Sequence, residues 1–321
     1  MLFTRTMLTT DTVHMRASRP GTAAPSARPA TPAEALTAPL PAREPIETAG
    51  ESALPPPDSR ARLTAELAMQ RHVTLELQRA ILPLHDEPFD LPGLRAMVRY
   101  LPASADSRVG GDWYITAELP SGQVLLAIGD VAGHGLAAAA GMARLRGALA
   151  GLSVTGAPPQ QLVGWLNDLA LHVGAEHTAS VVAGYFDPAS RMLTWAQAGH
   201  PPPVLIRGPW ARALPQPEGI LLGAGRHGYA AATVQLQPGD LLLMYSDGLL
   251  ERRDRSIDEG LETLLQAVRQ MSDPELAIAA ALNALGTTDS EDDTCLVALQ
   301  VLDPDGDGQR ADPARPGLGP S

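Results

Sequence analysis

The sequence predicts an α+β domain with largely antiparallel sheets and helices on their outer faces. Three observations point there. Strand-like apolar runs come in pairs joined by tight turns such as Pro120-Ser121-Gly122 and Asp187-Pro188-Ala189-Ser190, the connection expected of hairpins. Helical segments come in pairs between groups of strands, instead of alternating with them as a doubly wound parallel sheet requires. Both ends of the chain are unlike its middle: residues 1–58 hold 10 of the 30 prolines and a single aromatic, Phe3, so no periodic apolar face can form there. The expected organisation is a disordered Pro/Ala/Thr-rich arm (1–58), a linker helix (59–83), one domain (84–302) and a disordered tail (303–321).

The elements follow in order. From Arg60 to Leu82 helix formers run without Gly or Pro, and Pro83 ends them. Leu63, Leu67, Leu77 and Ile81 fall near a heptad seam, but Gln70 and Thr74 interrupt it. The segment therefore reads either as a helix packed on the domain behind it or as a dimerising or regulator-binding coiled coil. Strands are expected at Leu94–Tyr100, Trp113–Leu119 and Gln123–Ile128, then helices at His134–Leu152 and from Pro159 to about Val173. Further strands fit Ala179–Phe186, Met192–Ala198, Thr233–Leu236 and Leu241–Tyr245. Leu261, Leu264, Leu265 and Val268 are spaced i, i+3, i+4, i+7, which predicts a helix over Asp258–Met271. Ser272-Asp273-Pro274 starts another, and Thr294–Leu302 is the last strand.

Composition removes several functions. The chain has 321 residues, 45% of them apolar, and a formal charge of −12. Such acidity disfavours general binding to nucleic acid or anionic membranes. All 24 basic residues are Arg, which rules out Schiff-base, pyridoxal-phosphate and P-loop chemistry, all of which need a lysine amine. A single cysteine, Cys295, leaves no intrachain disulfide and no Cys-based zinc site. No segment reaches the roughly 18 apolar residues of a membrane span, and Met1-Leu2-Phe3-Thr4-Arg5 lacks a secretory h-region. The expectation is a cytoplasmic protein with no nucleic-acid partner and no membrane insertion.

Four acidic turns recur where strands end: Gly110-Gly111-Asp112, Gly129-Asp130-Val131, Ser246-Asp247-Gly248 and Glu291-Asp292-Asp293. Three of them adjoin a glycine, which lets a backbone or a ligand approach closely. Taken singly, each is only a turn. Clustered, the carboxylates would repel one another unless hard divalent cations neutralised them, and two such ions form a clamp suited to in-line attack on phosphorus.

In order along the chain, RYLPA (99–103), VGGDWY (109–114), IGDVAGHGLAAA (128–139), AGHPPPVLI (198–206), LLLMYSDGLLERRD (241–254) and DDTCLVAL (292–299) resemble metal-dependent protein serine/threonine phosphatases of the type 2C (PPM) class, in their bacterial SpoIIE-like branch. The resemblance spans about residues 78–302. It implies two antiparallel sheets packed face to face with helices outside, and two divalent cations, Mn²⁺ or Mg²⁺. The implied ligands are Asp112, Asp130, the carbonyl of Val131, Asp247 and Asp292, with a metal-bridging water as nucleophile. The implied substrate is a phosphorylated STAS-domain protein, an anti-sigma-factor antagonist. Where the family commonly has a second Asp after its GGD-aromatic-Tyr motif, this chain has Ile115. That departure keeps open a second reading, a catalytically inactive PPM-fold module that binds a phosphoprotein or regulator.

Other residues carry alternatives of their own. His134, between two glycines, reads either as a general acid for the leaving alkoxide or as a contact closing its loop onto the next helix. Arg99 is a candidate for bidentate phosphate binding, and Arg108 reads as surface. His200 and Cys295 read as structural and core residues. The tail segment Asp303-Pro304-Asp305-Gly306-Asp307-Gly308 opens like an EF-hand loop, but Ala314 stands where the closing Glu belongs.

Overall fold

The computed structural model describes residues 87–102, 111–172, 178–251, 255–286 and 292–303, with isolated positions 62, 65, 66, 69, 82 and 85 ahead of them. The expected arm, most of the linker segment, Arg108 and the EF-hand-like tail beyond Asp303 lie outside the described residues. Positions 62, 65, 66 and 69 are helical.

Among the described residues, eleven strands form two sheets. The strands are β1 (Phe89–Leu91), β2 (Leu94–Leu101), β3 (Trp113–Glu118), β4 (Val124–Val131), β5 (Ala179–Asp187), β6 (Met192–Ala198), β7 (Val204–Arg207), β8 (Trp210–Ala213), β9 (Ala231–Gln235), β10 (Leu241–Tyr245) and β11 (Thr294–Val301). The first sheet runs β1-β2-β11-β10-β7-β8 and the second β3-β4-β5-β6-β9, and every pairing within them is antiparallel. Helices α1 (Leu136–Ser153) and α2 (Pro159–His172) pack on the second sheet, and α3 (Ile257–Val268) and α4 (Pro274–Leu285) on the first.

Strand alternation explains the layering. In β11, Cys295, Val297, Leu299 and Val301 belong to the core shared by both sheets, while Leu296 and Ala298 face α3 and α4. In β10, Leu242 and Met244 point inward, and Leu241, Leu243 and Tyr245 outward. Central strands buried on both faces read as continuous apolar runs, and that is how LLLMY and CLVAL read. Leu82 also lies in the shared core, so the chain leaving the linker segment is anchored on the domain.

Three elements were not expected from sequence: β1 and the hairpin β7–β8. Helix α3 starts one residue earlier and ends three residues earlier than the expected Asp258–Met271. α3 starts at Ile257 because Ser256 and Glu259 form a reciprocal capping box. It stops at Val268 because Arg269 leaves helical geometry and Gln270 takes a left-handed φ of 64°. α4 begins as expected, with the Asp273 carboxylate accepting from the Glu275 and Leu276 N–H groups.

Candidate metal centre

The four acids named from sequence arrive from both sheets. Asp112 precedes β3, Asp130 lies near the end of β4, Asp247 opens the 3₁₀ turn that follows β10, and Asp292 precedes β11. They converge at one end of the sandwich, near enough that the charge of Asp130 raises Asp112, the charges of Asp247 and Asp292 raise Asp130, and that of Asp292 raises Asp247. Burial grades outward: Asp112 is 1% exposed, Asp130 and Asp247 are half-buried, and Asp292 is exposed.

Two glycines make the convergence possible. A Cβ on Gly111 would lie 2.1 Å from the Val131 carbonyl oxygen and 2.8 Å from Asp130 Oδ1. One on Gly248 would lie 2.0 Å from the Asp293 carbonyl oxygen. The turns bearing Asp112 and Asp130 therefore touch through bare backbone, as do those bearing Asp247 and Asp292.

The electrostatics are those of crowded anions. Burial pushes the Asp112 carboxyl well above the usual carboxylate range, the Asp130 charge adds to this, and the Ser246 hydroxyl works against it. Burial also raises Asp130, with the charges of Asp247 and Asp292 next and a hydrogen bond with Asp112 opposing them. Asp247 is raised by burial, then by Asp292 and Glu251. Asp292 is raised by burial, partly offset by the Asp293 N–H that donates to its Oδ1 at 2.8 Å and by the charge of His134. The chemistry of this donor set, hard oxygens short of positive charge, fits a divalent cation. Among the described residues no three His, Cys, Asp or Glu side chains close tightly enough to hold one ion. The arrangement suits cations that keep several waters, as Mg²⁺ does.

The remaining sequence candidates separate. His134 is exposed beside Asp292. Arg99 does not join the acids: it alternates with Tyr100 on β2, sharing the face of Met97, which packs in the outer core. The phosphate contact expected of it therefore has no geometric support, because strand alternation turns it to the opposite face. Ile115 is buried in the shared core, paired in register with Ala127. Cys295 is buried, and burial pushes its thiol up, so it is no nucleophile. His200 is structural, as expected. It is 1% exposed, and burial drives its pKa down to about 3. Its Nε2–H must donate to the Tyr245 carbonyl at 3.1 Å, so its Nδ1 accepts from the Ser180 hydroxyl at 2.6 Å.

Sequence reasoning missed two supporting groups. Ser246 donates to Asp112 Oδ2 at 2.6 Å. The Tyr100 hydroxyl donates to the buried Asp293 carboxylate. The signal for Tyr100 was present in the alternation Ala96, Val98, Tyr100 along the inner face of β2; Ser246 had only its place beside Asp247.

The antiparallel sandwich with outer helix pairs has the fold of the PP2C phosphatase domain of SpoIIE from Bacillus subtilis, with a TM-score of 0.54 at 20% identity over 65% of this chain and 62% of that one. The sequence profile of stage II sporulation protein E (SpoIIE) matches residues 120–302, more than half of the chain, and the chain belongs to that family. It is 27% identical over 149 residues to the phosphoserine phosphatase RsbU of Bacillus subtilis strain 168, an alignment covering 46% of this chain and 44% of RsbU. The chain thus spans less than half the length of that relative. The crystal structure of the RsbU and RsbW domains of Rv1364c from Mycobacterium tuberculosis superposes with a TM-score of 0.61 at 29% identity, covering 66% of this chain and 61% of that one. RsbX in complex with magnesium shares the fold, with a TM-score of 0.53 at 16% identity over 67% of this chain and 98% of that one. No helix among the described residues is long and apolar enough to cross a membrane.

Proposed function

We propose that this protein is a divalent-cation-dependent phosphatase acting on phosphoserine or phosphothreonine in a protein substrate. The observation that supports the reading is the nearness of Asp112, Asp130, Asp247 and Asp292, distant along the chain, whose carboxyls are all raised above the ordinary value by burial and neighbouring acids. These four, with the Val131 carbonyl, would hold two cations, Mn²⁺ or Mg²⁺; the magnesium bound by RsbX supports that choice. Bound there, the cations would offset phosphate charge and activate water near neutral pH. His134, exposed beside Asp292, would give a proton to the departing serine or threonine oxygen in this reading. The substrate we propose is a phosphorylated STAS-domain antagonist of an anti-sigma factor, a reading supported by the likeness to RsbU. Residues 60–82 would receive a regulator or a second copy of the chain.

The test is phosphate release from a phosphoserine STAS protein with Mn²⁺, with and without chelator. Asp130→Asn should lower the rate by more than about 100-fold, beyond the loss typical of removing an outer partner of a metal ligand. Activity that survives chelation or this substitution overturns the proposal. Ile115, standing where the family commonly has a second Asp, supports the second reading, a module that binds without turnover. Calorimetric titration that finds no Mn²⁺ binding would select it.

A further inference from the structure

We propose that Ser246 is a positioning residue whose hydroxyl fixes the spacing between acids of the two sheets, and through that spacing the affinity for divalent cations. The proposal rests on the metal-site reading above and deepens it.

Ser246 is fully buried, at 0% exposure, between β10 and the turn that carries Asp247. Its Oγ donates to Asp112 Oδ2 at 2.6 Å and accepts from the Cys295 N–H at 2.9 Å. Its own N–H donates to the Cys295 carbonyl at 3.0 Å. The rotor is therefore held from the β11 side, and its one proton goes to Asp112. Asp112 immediately precedes β3 of the second sheet, while Ser246 immediately follows β10 and Cys295 lies in β11, both strands of the first. One hydroxyl thus joins a carboxylate of one sheet to the residue immediately before an acid of the other.

A second link reinforces the same point. The carbonyl of Tyr245, the residue before Ser246, accepts from His200, and His200 accepts from Ser180. Ser180 is the register partner of Asp130 on β5 and β4. Both links between the sheets therefore converge on residues 245–246, and between them they reference Asp112, Asp130 and Asp247 to one another.

The chemical consequence falls on Asp112. With Oδ2 engaged by Ser246, the carboxylate plane is set and Oδ1 is left to face its neighbours. At 1% exposure little water can replace the lost donor, so removing the hydroxyl frees the carboxylate to rotate out of the position that Ser246 sets. That change weakens cation binding, and outer partners of this kind typically govern about 10- to 100-fold in metal affinity.

The experiment is Mn²⁺ titration calorimetry on the full chain as wild type, Ser246→Ala and Ser246→Thr, with thermal melts to verify folding. We expect Ser246→Ala to bind Mn²⁺ at least about tenfold more weakly, and Ser246→Thr, which keeps the hydroxyl, to restore most of the affinity. A merely structural role would lower the melting temperature and leave the affinity alone. If Ser246→Ala does not fold, Ser246→Cys takes its place, since a thiol of similar size is a weak donor. Wild-type affinity in a folded Ala or Cys variant, or no restoration in a folded Thr variant, overturns the role of Ser246 and leaves the metal reading standing. A wild type that binds no Mn²⁺ overturns both.

Discussion

Position 111 has no room for a side chain, and that constraint belongs to the site more than to the fold. A methyl group there would meet the Val131 carbonyl and the Asp130 carboxylate, both proposed to face the cations. Gly111→Ala should therefore cost about 1–3 kcal/mol of stability, the usual range for overpacking, and most of the Mn²⁺-dependent activity; urea unfolding and the phosphate-release assay measure the two. His200 gives a second prediction at this scale. Its folded pKa lies near 3, depressed by burial, so the unfolded chain takes up the proton first as pH falls. Its contribution to stability is present above about pH 6.5, the ordinary histidine value, and is lost as pH drops toward 3. The loss approaches about 1.4 kcal/mol per pH unit within that window. His200→Gln should flatten this part of the stability–pH curve; an unchanged slope would argue against a neutral buried imidazole. The acids themselves were legible in sequence because each sits in a short motif at a strand end. Ser246 was not, since its partner Asp112 lies 134 positions away.

Among the elements, legibility tracked length and capping. The long runs of β4, β5 and β11 and the Asp273-Pro274 start of α4 carry their own signals. The hairpin β7–β8 does not. Its strands have four residues each, they follow three consecutive prolines, and the edge-strand Trp210 ring is approached by the guanidinium groups of Arg207 and Arg212, at 5.7 and 5.3 Å from its centroid. Helix α1 offers an element-scale prediction. Gly147 lies in its interior, exposed, with nothing within 4 Å of an added Cβ. Gly147→Ala should stabilise the protein by about 0.5–1 kcal/mol through helix propensity alone, seen as a raised urea midpoint with activity unchanged.

For the whole molecule, the two sheets meet at a cluster of acids, so stability should answer to both cations and pH. Carboxyls raised above their unfolded values stabilise the metal-free protein fully below about pH 4. That contribution is lost as pH rises through their folded values, and the ionised groups then repel. Cations need the ionised form, so Mn²⁺ should raise the melting temperature more at pH 8 than at pH 5. An equal or smaller rise at pH 8 would contradict the cluster's proposed role. The α+β class was legible from hairpin turns and helix pairing, but the sheet order was not. β11 inserts between β2 and β10, a pairing of distant segments that no local pattern announces.

That insertion has a consequence during synthesis. The final strand supplies the middle of one layer, and Asp292 comes immediately ahead of it. A ribosome that stalls or a message cut short before this point yields a polypeptide lacking both. Such fragments would lack a proposed cation ligand and the strand that joins β2 to β10 at once.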